Sequence, residues 1–213
     1  MFLLTNELVF PDVQLADENG MLAIGGDLSV KRLTLAYKSG IFPWFNQGEP
    51  IIWYSPDPRM VLFPSELKIS KSMKQVLRKK EFKVTFNQNF EQVIFNCKHI
   101  FRAADQGQTW ITDEMQKAYV NLHKKGIAKS VEVWQNNELV GGLYGIDLGT
   151  IFCGESMFSK VSNASKMAFI YLVKKLETEN YKLVDCQVYN NHLASLGARE
   201  IPREEFLKYL KST

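Results

Sequence analysis

Apolar residues recur along this chain with two different periods, and the switches between them mark out its elements. Over residues 70–80, Ile69, Met73, Val76 and Leu77 fall on one helical face while Lys71, Lys74 and Arg78 fall on another. Residues 113–125 repeat the helical spacing with Met115, Ala118, Tyr119 and Leu122. Weaker versions predict helices over 90–97, 163–177, 192–196 and 203–210, the last preceded by Pro202. Ser29 is placed to cap a further helix running to Lys38, with Gly40 ending it. Strands are expected over 60–63, where Pro64 breaks the run, and over 82–86, 130–134, 138–144, 150–152 and 183–188. The turns Asn136-Asn137 and Asp147-Leu148-Gly149 join three of these strands into an antiparallel meander.

Turn signals crowd the beginning of the chain: Asn19-Gly20, Gly25-Gly26-Asp27, Gly40 and Ser55-Pro56-Asp57-Pro58. This predicts a small loop-rich N-terminal domain over residues 1–62, packed on a larger domain over 63–213. The mixture of strands and helices, without a repeat or low-complexity tract, gives an α+β fold class.

Composition narrows the possibilities. No stretch reaches the ~18–20 uninterrupted apolar residues of a membrane span. The start, MFLLTNELVF, has no basic leader region and already carries Glu7, so a soluble, unprocessed, cytoplasmic protein is expected. Cys97, Cys153 and Cys186 are odd in number and far apart, which argues against a disulfide framework and for a reducing compartment. His99, His123 and His192 lack metal-ligand spacing, and neither a metal nor a cofactor is expected. Charge is unevenly spread: residues 64–83 hold seven basic side chains against two acidic ones, enough to set the sign of a chain whose net charge is +3. A local basic patch on a near-neutral body suggests a polyanionic partner.

Several short strings are more specific: LAIGGDL (22–28), GIFPWF (40–45), SPDPR (55–59), TWIT (109–112), GGLYG (141–145), GESMFS (154–159), NASK (163–166), DCQ (185–187) and SLGAREIPR (195–203). Together, in order and over nearly the whole chain, they resemble the bacterial leucyl/phenylalanyl-tRNA-protein transferases. The resemblance implies a C-terminal domain of acetyltransferase (GNAT) topology. It also implies transfer of leucine or phenylalanine, with methionine as a further donor, from aminoacyl-tRNA to proteins beginning with Arg or Lys, which marks them for N-end-rule degradation. Tyr54 and Lys129 depart from the family pattern, which has Trp and His there.

Asp185 and Gln187 stand at i and i+2 of one predicted strand, so simple alternation aims both into one cavity and Cys186 the other way. By resemblance this is the pair that handles the attacking amine. Glu155, expected to follow the strand ending at Phe152, could bind the acceptor's basic side chain or its ammonium, or else be an acid held by the turn after Gly154; the resemblance matches it to a functional acid of the family. Trp44 and Trp110 offer faces for stacking an unpaired adenine, and Tyr119 borders the same cavity by resemblance. Leu143, Phe152, Leu172 and Leu176 match positions lining the family's pocket for the transferred side chain. Lys68, Lys71, Lys74, Arg78, Lys79 and Lys80 are suited to tRNA phosphates, or else to an ordinary solvated helix face.

Two rivals make different demands. An acetyl-CoA-dependent transferase needs a glycine-bearing phosphate loop opening a helix, whereas the helix at residue 163 starts from SNASK. A non-catalytic RNA-binding module leaves GESMFS and DCQ without a task.

Overall fold

The computed structural model describes residues 2–100 and 109–211. The chain opens with strands β1 (Phe2–Leu4) and β2 (Met21–Gly25), helix α1 (Val30–Lys38), and strands β3 (Phe42–Pro43) and β4 (Ile52–Tyr54). These strands form a small sheet in the order β1-β2-β4-β3. There follow β5 (Arg59–Leu62), α2 (Lys71–Lys79), β6 (Lys83–Phe86), α3 (Phe90–His99), α4 (Asp113–Lys124), β7 (Ala128–Gln135), β8 (Glu138–Asp147) and β9 (Ile151–Ser159). The chain ends with α5 (Ala164–Thr178), β10 (Leu183–Gln187), α6 (Asn191–Ala194), β11 (Arg199–Ile201) and α7 (Arg203–Lys211). The second sheet has the order β11-β5-β10-β9-β8-β7-β6. Its pairs are antiparallel except β9 with β10, which run parallel because α5 carries the chain across between them.

Local chemistry explains most boundaries. Ser29, Ser70 and Thr112 each accept a hydrogen bond from the backbone N–H three residues on, which starts α1, α2 and α4. Asn136 and Asn137 both have positive φ, 51° and 64°, as the tight turn from β7 to β8 requires. In β8 the glycines of GGLYG answer a demand for space. A Cβ on Gly141 would lie 2.5 Å from the Ala164 Cβ of α5, and one on Gly145 would lie 2.2 Å from the Cys153 carbonyl oxygen.

One core cluster joins the small sheet to the large one, bringing Leu22, Tyr37 and Trp53 together with Tyr119, Tyr144 and Phe206. The other lies between the large sheet and α5, with Leu62, Leu143, Phe152, Leu172 and Val184. Two motifs distant in sequence meet at the joint: Arg203 donates its backbone N–H to Asp57 and a guanidinium N–H to the Ser55 carbonyl. Among the described residues no helix is long and apolar enough to cross a membrane.

Candidate active site

β9 and β10 pair only from Leu183 opposite Ile151 to Asp185 opposite Cys153. Both strands are irregular just beyond. The β8–β9 register slips between Tyr144 and Gly145, leaving Glu155 as the extra residue, and the β10–β5 register slips between Asp185 and Gln187, leaving Cys186 extra. Such bulges bend a strand and re-aim its side chains. The strands part here, and a cavity of about 500 Å³ occupies the fork. Leu143, Met157, Phe169 and Leu172 line its apolar side, Glu155 and Gln187 its polar end, and Trp44 and Trp110 also contribute to the wall. Trp44 is 43% exposed and leans on Tyr54, with ring centroids 5.8 Å apart.

Glu155 is the best-connected group of the cavity. Tyr119 donates to its Oε2 at 2.8 Å, Gln187 Nε2 donates to its Oε1 at 3.3 Å, and the Tyr119 hydroxyl is bonded in turn to that of Tyr37 on α1. Burial pushes the Glu155 carboxyl up to about 7; the two tyrosine hydroxyls oppose the rise, the Asp185 charge adds to it, and Arg59 offsets it. Only part of the residue is covered, because its free side faces the cavity. The Tyr37 and Tyr119 hydroxyls are held well above their usual pKa, first by burial and then by the Glu155 charge, so both stay protonated donors.

Beneath this lies a fully buried ion pair. Arg59 Nε and Nη2 donate to the two carboxylate oxygens of Asp185 at 2.8 and 2.7 Å, and both side chains are 1% exposed. The guanidinium lies between the rings of Phe42 and Phe206, 4.9 and 4.7 Å from their centroids, and donates to the Gly40 carbonyl. Asp185 Oδ1 also accepts the backbone N–H of Gln187 at 3.0 Å, which holds Gln187 in a left-handed conformation with φ 60°. That conformation turns the Gln187 amide toward Glu155.

Comparison with known proteins gives the same motifs a name. The family model described as "Leucyl/phenylalanyl-tRNA protein transferase" matches residues 61–211, and the one described as its N-terminal domain matches residues 26–57. The chain belongs to the leucyl/phenylalanyl-tRNA protein transferase family. It is 68% identical to the leucyl/phenylalanyl-tRNA–protein transferase of Flavobacterium johnsoniae over all of both chains. It is 57% identical to the enzyme so named from Syntrophus aciditrophicus, over 97% of this chain and 86% of that one. Solved structures are far more distant. L-PGS from Bacillus licheniformis gives a TM-score of 0.42 at 10% identity over 80% of this chain and 54% of that one. A GCN5-related N-acetyltransferase from Kribbella flavida gives 0.35 at 9% identity over 78% and 59%.

For this transferase-family chain, the structure gathers some of the expected site residues and separates others. Trp44, Trp110, Leu143, Glu155, Leu172 and Gln187 all line the one cavity, and Tyr119 reaches it through Glu155. Asp185 does not line it. The alternation that would aim Asp185 and Gln187 together is broken by the bulge at Cys186, and the Asp185 carboxylate is turned inward onto Arg59 while Cys186 itself joins the wall. Glu155 does not follow a strand: β9 continues through GESMFS because β8 pairs with it as far as Ser159. Phe152 and Leu176 line a second cavity of about 380 Å³, bounded also by Lys129, Lys175 and Tyr181, with Leu172 as the wall common to both. Lys68, Lys71, Lys74, Arg78, Lys79 and Lys80 lie on and around α2, with Lys79 3.7 Å from Glu81. Among the described residues no group of three or more His, Cys, Asp or Glu side chains could hold a metal.

Two residues of the site lie outside these expectations. Arg59 is visible in the sequence as a lone charge opening the apolar strand run after SPDP, a position that demands a buried partner. Tyr37 gives no signal, since an apolar-spaced tyrosine in a helix is ordinarily packing.

Proposed function

We propose that this protein is a cytoplasmic aminoacyltransferase that moves leucine or phenylalanine from its tRNA onto the N-terminal amine of proteins beginning with Arg or Lys, marking them for degradation. The observation that carries the reading is the composition of the forked cavity: an apolar wall, a buried carboxylate and amide at one end, and two tryptophans, in a chain of this family throughout. In this reading Glu155 receives the acceptor's basic side chain, and Gln187, bonded to Glu155, orients the amine beside it. Leu143 and Leu172 contact the transferred side chain. Trp44 and Trp110 stack on the terminal adenosine, whatever the tRNA body. The lysines and arginine on and around α2 meet tRNA phosphates.

The chemistry asks little of a base. An α-amine of pKa about 7.7–8.0 is roughly 10–20% neutral at pH 7. Its lone pair attacks the ester carbonyl, the C–N bond forms as the C–O bond to the ribose breaks, and the amine's proton ends on the departing ribose oxygen. Positioning supplies most of the rate. Asp185 serves by fixing Gln187 through its backbone N–H and by its bond to Arg59. Incubation with radiolabelled Leu-tRNA and peptides beginning with Arg, Lys or Ala tests the reading. Label is expected on the Arg and Lys peptides only; label on none of them, or equally on all three, overturns it.

A further inference from the structure

Tyr37 lies on α1, packed with the small sheet, and is 2% exposed; Tyr119 lies on α4 and is fully buried. A tyrosine hydroxyl has one proton. Tyr119 aims its proton at Glu155, so its oxygen is left to accept, and the hydroxyl that meets it is that of Tyr37. Among the described residues neither hydroxyl has another side-chain partner that would take its proton elsewhere. The result is a relay that ends on the carboxylate: Tyr37 donates to Tyr119, Tyr119 donates to Glu155 Oε2, and the Gln187 amide donates to Oε1 from the other side. Protonation of Glu155 would leave Tyr119 a neutral acceptor, a weaker partner than the charged carboxylate, so the relay favours the anion.

We propose that Tyr37 is a positioning residue for Glu155: through Tyr119 it holds the carboxylate ionised and aimed into the cavity, so that the small N-terminal sheet unit sets how strongly a basic acceptor is bound. The inference rests on the reading of Glu155 as the acceptor's carboxylate. Other groups facing it are Tyr144 on β8, whose ring lies 5.5 Å from that of Tyr119, the Asp185 and Arg59 pair on β10 and β5, and Cys153 on its own strand. Asp185 and Arg59 act on the carboxylate in opposite directions, which leaves the hydroxyl donors as the groups that favour the anion most.

The test compares Tyr37→Phe with the parent protein, using one Arg-initiated peptide between pH 6 and pH 9. The ratio of the two kcat/KM values removes the titration of the peptide's own amine, which is common to both. Loss of the bond behind Tyr119 weakens its donation and moves the carboxyl up, by about one pH unit at most, so the deficit of the variant should be several-fold and at most about tenfold larger at pH 6 than at pH 9, and should lie in KM more than kcat. Binding of the same peptide by calorimetry without donor tRNA should show the same pH-dependent ratio. Tyr119→Phe should show it more strongly, and it supplies the answer if Tyr37→Phe does not fold. A ratio that is flat with pH in either folded variant overturns the proposal, because mere damage to packing lowers the rate equally at every pH. Failure of the parent protein to bind or label basic peptides at all would instead strike at the reading of Glu155.

Discussion

The Arg59–Asp185 pair makes the sharpest prediction, because stability and turnover should respond differently to the same substitutions. Both charges are 1% exposed and each is the other's main partner. Removing one leaves an uncompensated buried charge, which costs about 3–5 kcal/mol. Asp185→Leu, which removes both the charge and the acceptor oxygen, and Arg59→Met should therefore each lower the urea midpoint by roughly 1.5–2 M, taking a slope of about 2–3 kcal/mol/M. The double variant buries no charge, so its loss should fall short of the sum by about 3 kcal/mol or more. Turnover should not recover with it. Asp185 Oδ1 is what holds the Gln187 N–H, and the left-handed backbone it stabilises costs about 1–3 kcal/mol to maintain. Without it the Gln187 amide leaves Glu155, and a displacement of about 1 Å is worth about 10² in rate. Urea unfolding of the four proteins, with single-turnover transfer at saturating donor and acceptor, gives both quantities. Additive stability losses, or a double variant that transfers at the parent rate, would refute the reasoning.

Further outcomes follow from other parts of the structure. Because burial raises the Glu155 carboxyl to about 7, the folded state holds that proton longer than the unfolded chain, so its contribution to stability is present below about pH 4.5 and is lost as pH rises through 7. Glu155→Gln should thus gain about 1–2 kcal/mol relative to the parent between pH 5 and pH 8 in thermal or urea unfolding, while losing transfer to basic peptides. Replacing Lys71, Lys74 and Arg78 together by Ala should reduce the log–log salt slope of donor binding by about 0.7–0.9 for each phosphate no longer neutralised, measured by filter binding; an unchanged slope returns α2 to a plain solvated helix. Gly145→Ala, whose Cβ has nowhere to go beside the Cys153 carbonyl and the Phe152 ring, should destabilise by about 3 kcal/mol or more in urea. Leu172→Ala should join the two cavities, cost about 2–5 kcal/mol, and raise KM for the leucyl donor.

Elements whose ends carry a side-chain signature were legible in the sequence. Ser29, Ser70 and Thr112 cap helices that begin within a residue of their expected starts, and the Asn136-Asn137 turn fixed the β7–β8 hairpin. The site was legible through its motifs rather than its geometry. Period-two reasoning supposes a regular strand, and both strands at the fork are irregular where it matters, at Glu155 and at Cys186. No local residue pattern marks those bulges: they arise where β9 and β10 stop pairing, a property of the sheet and not of either segment. The Arg59–Asp185 bond spans 126 positions of sequence, and the Tyr37–Tyr119 bond spans 82, so neither could be read from spacing. The division of apolar residues between two cavities was hidden for a related reason, since Leu172 and Leu176 share a helix face yet only Leu172 lies between the two.

Under the proposed reading, the carboxylate held in the fork would also act as a counter. An acceptor arrives with a cation to offer Glu155; once extended, it presents leucine or phenylalanine at its first position and carries the cation one residue further in. The elongated chain then brings an apolar side chain to a walled-in anion, an arrangement that costs the anion its water and returns nothing. Under the proposed reading, addition therefore stops at one residue without a separate release signal, and the same group that admits a protein to the reaction ends its eligibility.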